Sequence, residues 1–248
     1  MKLTLTHDEV QSYYKTLSDS NAVFKADYPA DSSARQPVHT VYGGANLFKS
    51  GFVAKLGENA LKTLETYAPN FAVFARVLDL PGASTLPATS LELTSLNAAL
   101  QANAEQVRQA YPAAWLAYTV YNRVLKKLKN EPIEDNRIDF EDGYGNRPDS
   151  EEDDHAVAAA EEVAKGMAEN TLSPFIGIRV KTFSNECKAR SIRTLDIFLT
   201  RLAEKTGAKL PQNFIVTLPK VVTPAQVSTF VDILEKLETR LGFAKRCV

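Results

Sequence analysis

Apolar and polar residues alternate along three short runs of the chain, and each run gives way to a stripe at helical spacing. In residues 137–145, Ile138 and Phe140 fall on one side and Asp139 and Glu141 on the other, ahead of a turn bracketed by Gly143 and Gly145. In residues 174–181, Ile176, Ile178 and Val180 share one face while Gly177, Arg179 and Lys181 share the other. A third run rich in β-formers, residues 214–221, closes on Lys220 and Val221. The stripes that follow pass through Val163 and Met167, then Ile192, Leu195, Leu199 and Leu202, then Val227, Phe230, Val231, Leu234 and Leu237. Asp149 and Ser150, with Asp153, offer caps for the first of these helices, and Thr223 with Pro224 for the last. Strands alternating with helices imply an α/β fold with parallel pairing, right-handed crossovers and functional side chains at the carboxyl ends of the strands. Glu141, Asp142, Arg179, Lys181 and Lys220 are then expected on one rim.

Two carboxylates on one strand face repel each other unless cations, hydrogen bonds or a metal offset them. The acidic run therefore reads either as a site or as a strand end whose acids meet Arg137, Arg147 or Arg179 in a structural network. Other residues carry similar alternatives. His39 reads as a hydrogen-bonded structural histidine or as a base facing the interior. His155 follows four acids that suit the first turn of a helix better than a calcium loop, because the required glycine and terminal glutamate are missing. Gly43 and Gly44 could let backbone amides approach an anion, but without the full glycine fingerprint. No Ser-His-Asp order, phosphate loop or zinc spacing is present. The 248 residues are 44% hydrophobic and 24% charged, in the range of a globular chain, and the net charge of -1 gives no global attraction to nucleic acid or anionic membrane. No apolar run spans a bilayer, the first eight residues lack a signal-peptide core, and Cys187 and Cys247 fit a reducing compartment, so a cytoplasmic protein is expected.

The three runs, in their order, resemble the early strands of the citrate lyase β-subunit and HpcH/HpaI aldolase family of the phosphoenolpyruvate/pyruvate TIM-barrel superfamily. Residues 35–42 resemble its first barrel strand, and the likeness extends to about residue 240. The resemblance implies a metal-dependent carbon–carbon lyase or aldolase acting on a keto-acid or CoA-ester substrate. It implies that Arg179 holds a carboxylate or enolate oxygen, that Glu141 and Asp142 organise metal-bound water, and that Lys181 and Lys220 contact substrate. Mg2+ or Mn2+ is the implied cofactor. The family's direct metal ligands lie on later strands, which this chain does not carry, so no residue is assigned as a metal ligand. Lys181 stands where many relatives have asparagine, and residues 43–46 lack an expected arginine.

On this footing the chain divides into an N-terminal helix and connection (1–36), a first βα unit (37–70), a helical insertion (71–130) and further βα units (131–248). Thr6 and Glu9 form a capping box for the first helix, whose face of Val10, Tyr13, Tyr14 and Leu17 is expected to pack across one end of the barrel. Val53, Leu56, Ala60 and Leu64 stripe the helix of the first unit. The insertion is a candidate lid, and Trp115, Tyr118 and Tyr121 share helical spacing within it, read as packing residues ahead of the alternative of base or cofactor stacking. Only about four of the eight units of a closed barrel are assigned. The expectation is thus the first half of a TIM barrel, with open edges, an uncovered apolar interior and self-association. The tail at 243–248 reads as neither helix nor strand and is taken as a sign of truncation. A catalytically inert fragment or binding scaffold is the alternative function.

Overall fold

Residues 4–28 and 33–245 are described by a computed structural model. The extreme N-terminus used above to argue against a signal peptide, residues 29–32 of the connection, and the last three residues, Cys247 among them, lie outside the described residues. The chain forms two compact units, Met1–Gln36 and Pro37–Val248. In the first, α1 (His7–Asp27) starts at the Thr6–Glu9 capping box, with the Thr6 amide donating to Glu9 Oε2 at 2.7 Å. It buries none of its residues, and Tyr13, Tyr14 and Leu17 are all more than half exposed.

The second unit is built on four parallel strands, β1 (Thr40–Gly44), β2 (Asp135–Asp139), β3 (Phe175–Arg179) and β4 (Phe214–Thr217), side by side in chain order. Helices α7 (Asp149–Glu169), α8 (Lys188–Thr206) and α9 (Pro224–Leu241) follow β2, β3 and β4. Ile138, Phe140, Ile176, Ile178 and Val180 form one core with Val163, Leu195, Phe198, Leu199 and Leu202, so this face of the sheet meets the helices. Each such side chain contributes roughly 1.5–3 kcal/mol by leaving water. The α9 stripe is rotated from the expected one: Phe230, Ile233, Leu234 and Leu237 pack on the core, while Val227 and Val231 stay nearly half exposed. Pro148, not Asp149 or Ser150, caps α7, and Asp149, Glu151 and Glu152 occupy its first turn, where acids complement the helix dipole. Thr223 and Gln226 form a capping box at α9. Beyond its Gly242 cap, Phe243 turns back into the core.

The opposite face corrects the expectation of an apolar interior. Register places Thr40, Asp135 and Phe175 in one row, Tyr42, Arg137, Gly177 and Ile215 in the next, and Gly44, Asp139, Arg179 and Thr217 in the last. Four of the five residues of β2 are polar, yet all five are buried, where a central parallel strand is ordinarily a run of Val and Ile. Hydrogen bonds offset that burial. Arg137 donates to both Asp135 oxygens at 2.8 Å, Thr40 Oγ1 donates to Asp135 at 2.9 Å, and Arg137 Nη1 reaches Thr217 Oγ1 at 3.3 Å. Gly177 lets the guanidinium pass across β3, since a Cβ there would lie 1.9 Å from the Ile215 carbonyl oxygen and 3.1 Å from Arg137 Nη1.

Between β1 and β2 the chain runs through α2 (Phe52–Tyr67), α3 (Phe71–Val77), α4 (Ser90–Ala102), α5 (Ala104–Ala110) and α6 (Pro112–Asn130). α3 to α6 form their own core of Phe71, Ala72, Ala75, Leu100, Ala114 and Ala117, against which Trp115, Tyr118 and Tyr121 pack. Gly57 of α2 seats against the Leu128 carbonyl and the Pro132 ring, joining this bundle to the first βα unit. Among the described residues no helix is long and apolar enough to cross a membrane.

Candidate functional site

The strands end two to four residues earlier than their sequence patterns do, so the candidate residues other than Arg179 sit past the strand ends. Asp139 and Arg179 are the last residues of β2 and β3 and are register partners. Arg179 donates through Nε to Asp139 Oδ1 at 2.8 Å and through Nη2 to Oδ2 at 2.6 Å, a planar two-point grip suited to guanidinium. The Asp139 oxygens also accept the amides of Glu141 at 2.9 Å and Gly143 at 2.7 Å. That turn needs glycine, because a Cβ at 143 would fall 2.7 Å from Asp139 Oδ2. Burial pushes the Asp139 carboxyl up, but the Arg179 hydrogen bonds and the two amides outweigh it and hold the group below the ordinary aspartate value. The same hydrogen bonds raise the Arg179 guanidinium, which lies over the Tyr42 ring at 4.4 Å from its centroid.

With Nε and Nη2 committed, Arg179 presents Nη1 to the rim. Glu141 Oε2 lies 3.6 Å from it and Asp142 Oδ2 lies 4.0 Å away. Lys220 reaches over from beyond β4, with Nζ 2.7 Å from Glu141 Oε1 and 2.9 Å from Asp142 Oδ1. Its hydrogen bonds to Asp142 and then to Glu141 raise the Lys220 ammonium above its ordinary value. Lys220 has φ of 52°, a strained left-handed backbone for a side chain of its size, of the kind that gathers at functional sites. Glu141 is 9% exposed, and its Oε2 is buried without a hydrogen-bond partner. That oxygen is the one unsatisfied acceptor identified in this cluster, and a donor brought there would be bound by an otherwise costly buried group.

The structure thus brings together Glu141, Asp142, Arg179 and Lys220, and it separates Lys181 from them. Lys181 lies past the end of β3 on the helix side, 8% exposed, where Nζ donates to the Phe140 carbonyl at 2.6 Å and pairs with Glu152 Oε2 of α7 at 2.8 Å. His39 precedes β1 and accepts the Glu134 amide at 3.4 Å at the amino end of the sheet, away from the rim. His155 Nδ1 is 2.8 Å from the Tyr144 hydroxyl, whose pKa burial and then Glu152 push up to about 12. Asp139, read from the sequence as part of the acidic run without a role of its own, is paired with Arg179 as the structural-network reading allowed, and Tyr42, which was absent from the candidates, stacks on the same guanidinium. For Asp139 the signal was present in its alternation with Arg137, while Tyr42 needed the β1–β2 register.

A divalent ion is a poor fit to this donor set. Glu141 and Asp142 are two carboxylates already bridged by the Lys220 ammonium, and among the described residues no group of three or more His, Cys, Asp or Glu side chains is placed to hold a metal. Mg2+ asks for six oxygens in near-octahedral array. Calorimetry should therefore detect no Mg2+ binding in the micromolar range, whereas Lys220→Met, which frees both carboxylates, should introduce weak millimolar binding. Micromolar affinity of the unaltered chain would overturn this assignment.

A family model described as a domain of unknown function (DUF6986) matches residues 17–248. No curated protein and no solved structure matches the chain. The resemblance to the citrate lyase β-subunit and HpcH/HpaI aldolase family is therefore corrected: the family found across the chain is a different one. The physical source of the error is that an apolar run ending in a charged or polar residue is what strands of any parallel α/β sheet place at their carboxyl ends.

Proposed function

We propose for this chain, which belongs to the DUF6986 family, that the rim at the carboxyl ends of β2, β3 and β4 is an enzyme active site for carbon–carbon bond cleavage in a small keto-acid or CoA-ester substrate. The observation that carries the proposal is the placement of Glu141 Oε2, a buried acceptor without a hydrogen bond, 3.6 Å from Nη1 of an arginine whose other donors are fixed by Asp139. In this mechanism Arg179 Nη1 and Lys220 Nζ hold the carboxylate or thioester oxygen of the substrate. Glu141 Oε2 accepts the proton of a hydroxyl on the carbon beyond the scissile bond. As that C–O bond becomes a carbonyl, the carbon–carbon bond breaks and its electron pair moves into an enolate, whose oxygen Arg179 stabilises. The enolate carbon then takes that proton from Glu141, which returns the carboxylate to its starting state and completes the balance. Because the donor set does not suit a resident divalent ion, no step is routed through one. The sheet itself is proposed to be an arc of a (β/α) barrel, the geometry that puts such residues on one rim.

A second reading, an inert or purely binding scaffold, is favoured by the fact that Arg179 and Lys220 are already met by Asp139, Glu141 and Asp142. The two separate in one experiment. The chain is incubated with a panel of hydroxylated keto-acids and CoA thioesters while carbonyl release is followed by NMR, with ligand binding read by saturation transfer. Cleavage should be seen, and Glu141→Gln should lower it about 10²- to 10⁴-fold, the usual contribution of a positioned base, with binding retained. Binding without turnover supports the scaffold, and neither binding nor turnover overturns both.

A further inference from the structure

On the helix side of the sheet, the end of β1, the connection into α2 and one residue of β2 form a pocket of about 60 Å3, lined by Gly43, Gly44, Leu47, Phe48, Phe52 and Asn136. Two of these residues are out of keeping with their places in the strands. Asn136 is 1% exposed on the face where the sheet otherwise buries Ile138, Ile176 and Ile178, and its side-chain Nδ2 is buried without a hydrogen-bond partner. A buried amide donor left unpaired is costly, so apolar side chains are the rule at such positions. Gly43 is the second. A Cβ built there would meet nothing closer than Phe52 Cζ at 3.9 Å, an ordinary contact, and its φ lies outside the left-handed region. Neither packing nor backbone conformation demands glycine, which weakens a strand interior and often marks a place where a ligand comes close. Its missing side chain leaves the pocket open, with the exposed Leu47 on the outer wall.

We propose that this pocket is a binding site for a neutral, largely apolar group carrying one carbonyl or hydroxyl oxygen. That oxygen accepts a hydrogen bond from Asn136 Nδ2, and the carbon atoms lie among Gly43, Phe48 and Phe52. At about 10–15 Å3 for each water-sized centre, the volume holds roughly four to six heavy atoms, the size of a short branched acyl or ketone group. None of the lining residues is charged, so an ionised ligand would lose its hydration with only one amide to replace it. Alternation sets the pocket apart from the rim: Tyr42, whose ring lies under the Arg179 guanidinium, is on the opposite face of β1 from Gly43. The inference therefore does not depend on the chemistry proposed for Glu141.

The test is NMR titration of the isotope-labelled chain with isobutyramide, with isobutyrate and isobutylammonium as charged counterparts. It is followed through the side-chain amide resonances of Asn136, which Asn136→Leu identifies by their loss. Isobutyramide should shift these resonances and bind in the millimolar range, with both charged probes at least tenfold weaker. Gly43→Val fills the space and should weaken isobutyramide at least tenfold, while the unfolding midpoint stays at or above the parent value. Asn136→Leu keeps the apolar walls and removes the donor, and saturation transfer should show a loss of the same order. Should Gly43→Val fail to fold, Asn136→Leu decides alone. Asn136 resonances that no probe moves would mean that the pocket takes an ordered water only, and the proposal would fall. Charged probes that bind as well as isobutyramide, or binding that survives either folded variant, would overturn it too.

Discussion

Arg179→Ala should destabilise the second unit by about 3 kcal/mol, the low end of the cost of breaking a buried ion pair, because Arg179 itself is partly exposed. Asp139 is 0% exposed, and without Arg179 its carboxylate keeps only the Glu141 and Gly143 amides. For a unit of this size the loss corresponds to roughly 6–12 °C in Tm. The sign of the pH dependence identifies the cause. In the native protein the Asp139 pKa is depressed, so its contribution is fully present above the ordinary aspartate value of about 3.9 and is lost as pH falls through the lower folded value. In Arg179→Ala the guanidinium hydrogen bonds and charge are gone, while burial and the two amides remain. The deficit should therefore be largest at neutral pH and shrink as acid protonates Asp139. Thermal unfolding of both proteins between pH 7 and pH 3 checks this, and a deficit independent of pH would show that lost packing on Tyr42, not the ion pair, is responsible.

The parts of this site that could be read in the sequence are those set by local periodicity. Period-2 alternation put Ile176 and Ile178 on one side and Arg179 on the other, and the sheet has them so. Alternation fails where the strand stops. β3 ends at Arg179, and the next residues bend toward α8, where Ser191 Oγ donates to the Lys181 carbonyl at 2.6 Å. Extending the pattern two residues too far placed Lys181 on the rim, while its side chain lies under Tyr144 beside α7. The Asp135–Arg137–Thr217 chain across the open face was illegible for a different reason. It joins residues up to 82 positions apart, and no local signal separates a buried polar ladder from a polar turn. The same ladder explains why the expected greasy interior is absent.

Lys181 offers the sharpest separation between a structural and a substrate role. Its ammonium approaches Glu152 Oε2 at 2.8 Å off the hydrogen-bonding direction, and Glu152, 1% exposed, is also held by Thr194 Oγ1 at 2.7 Å and Arg190 Nε at 3.6 Å. Lys181→Met removes one partner of a buried pair and leaves the Phe140 carbonyl without its donor, which should cost about 3–5 kcal/mol. Glu152→Leu should cost a similar amount by stranding Lys181. Replacing both with well-packed apolar side chains removes the stranded charge, so the double variant should be far less destabilised than the sum, with a coupling above about 1 kcal/mol. Chemical denaturation of the four proteins gives the cycle. If Lys181 instead serves substrate, Lys181→Met will unfold at the parent midpoint and lose ligand binding, and the substrate assignment is then restored. The geometry favours the first outcome, because the lysine is 8% exposed and its ammonium is engaged by the Phe140 carbonyl at 2.6 Å, Glu152 of α7 at 2.8 Å and the Tyr144 ring at 5.0 Å.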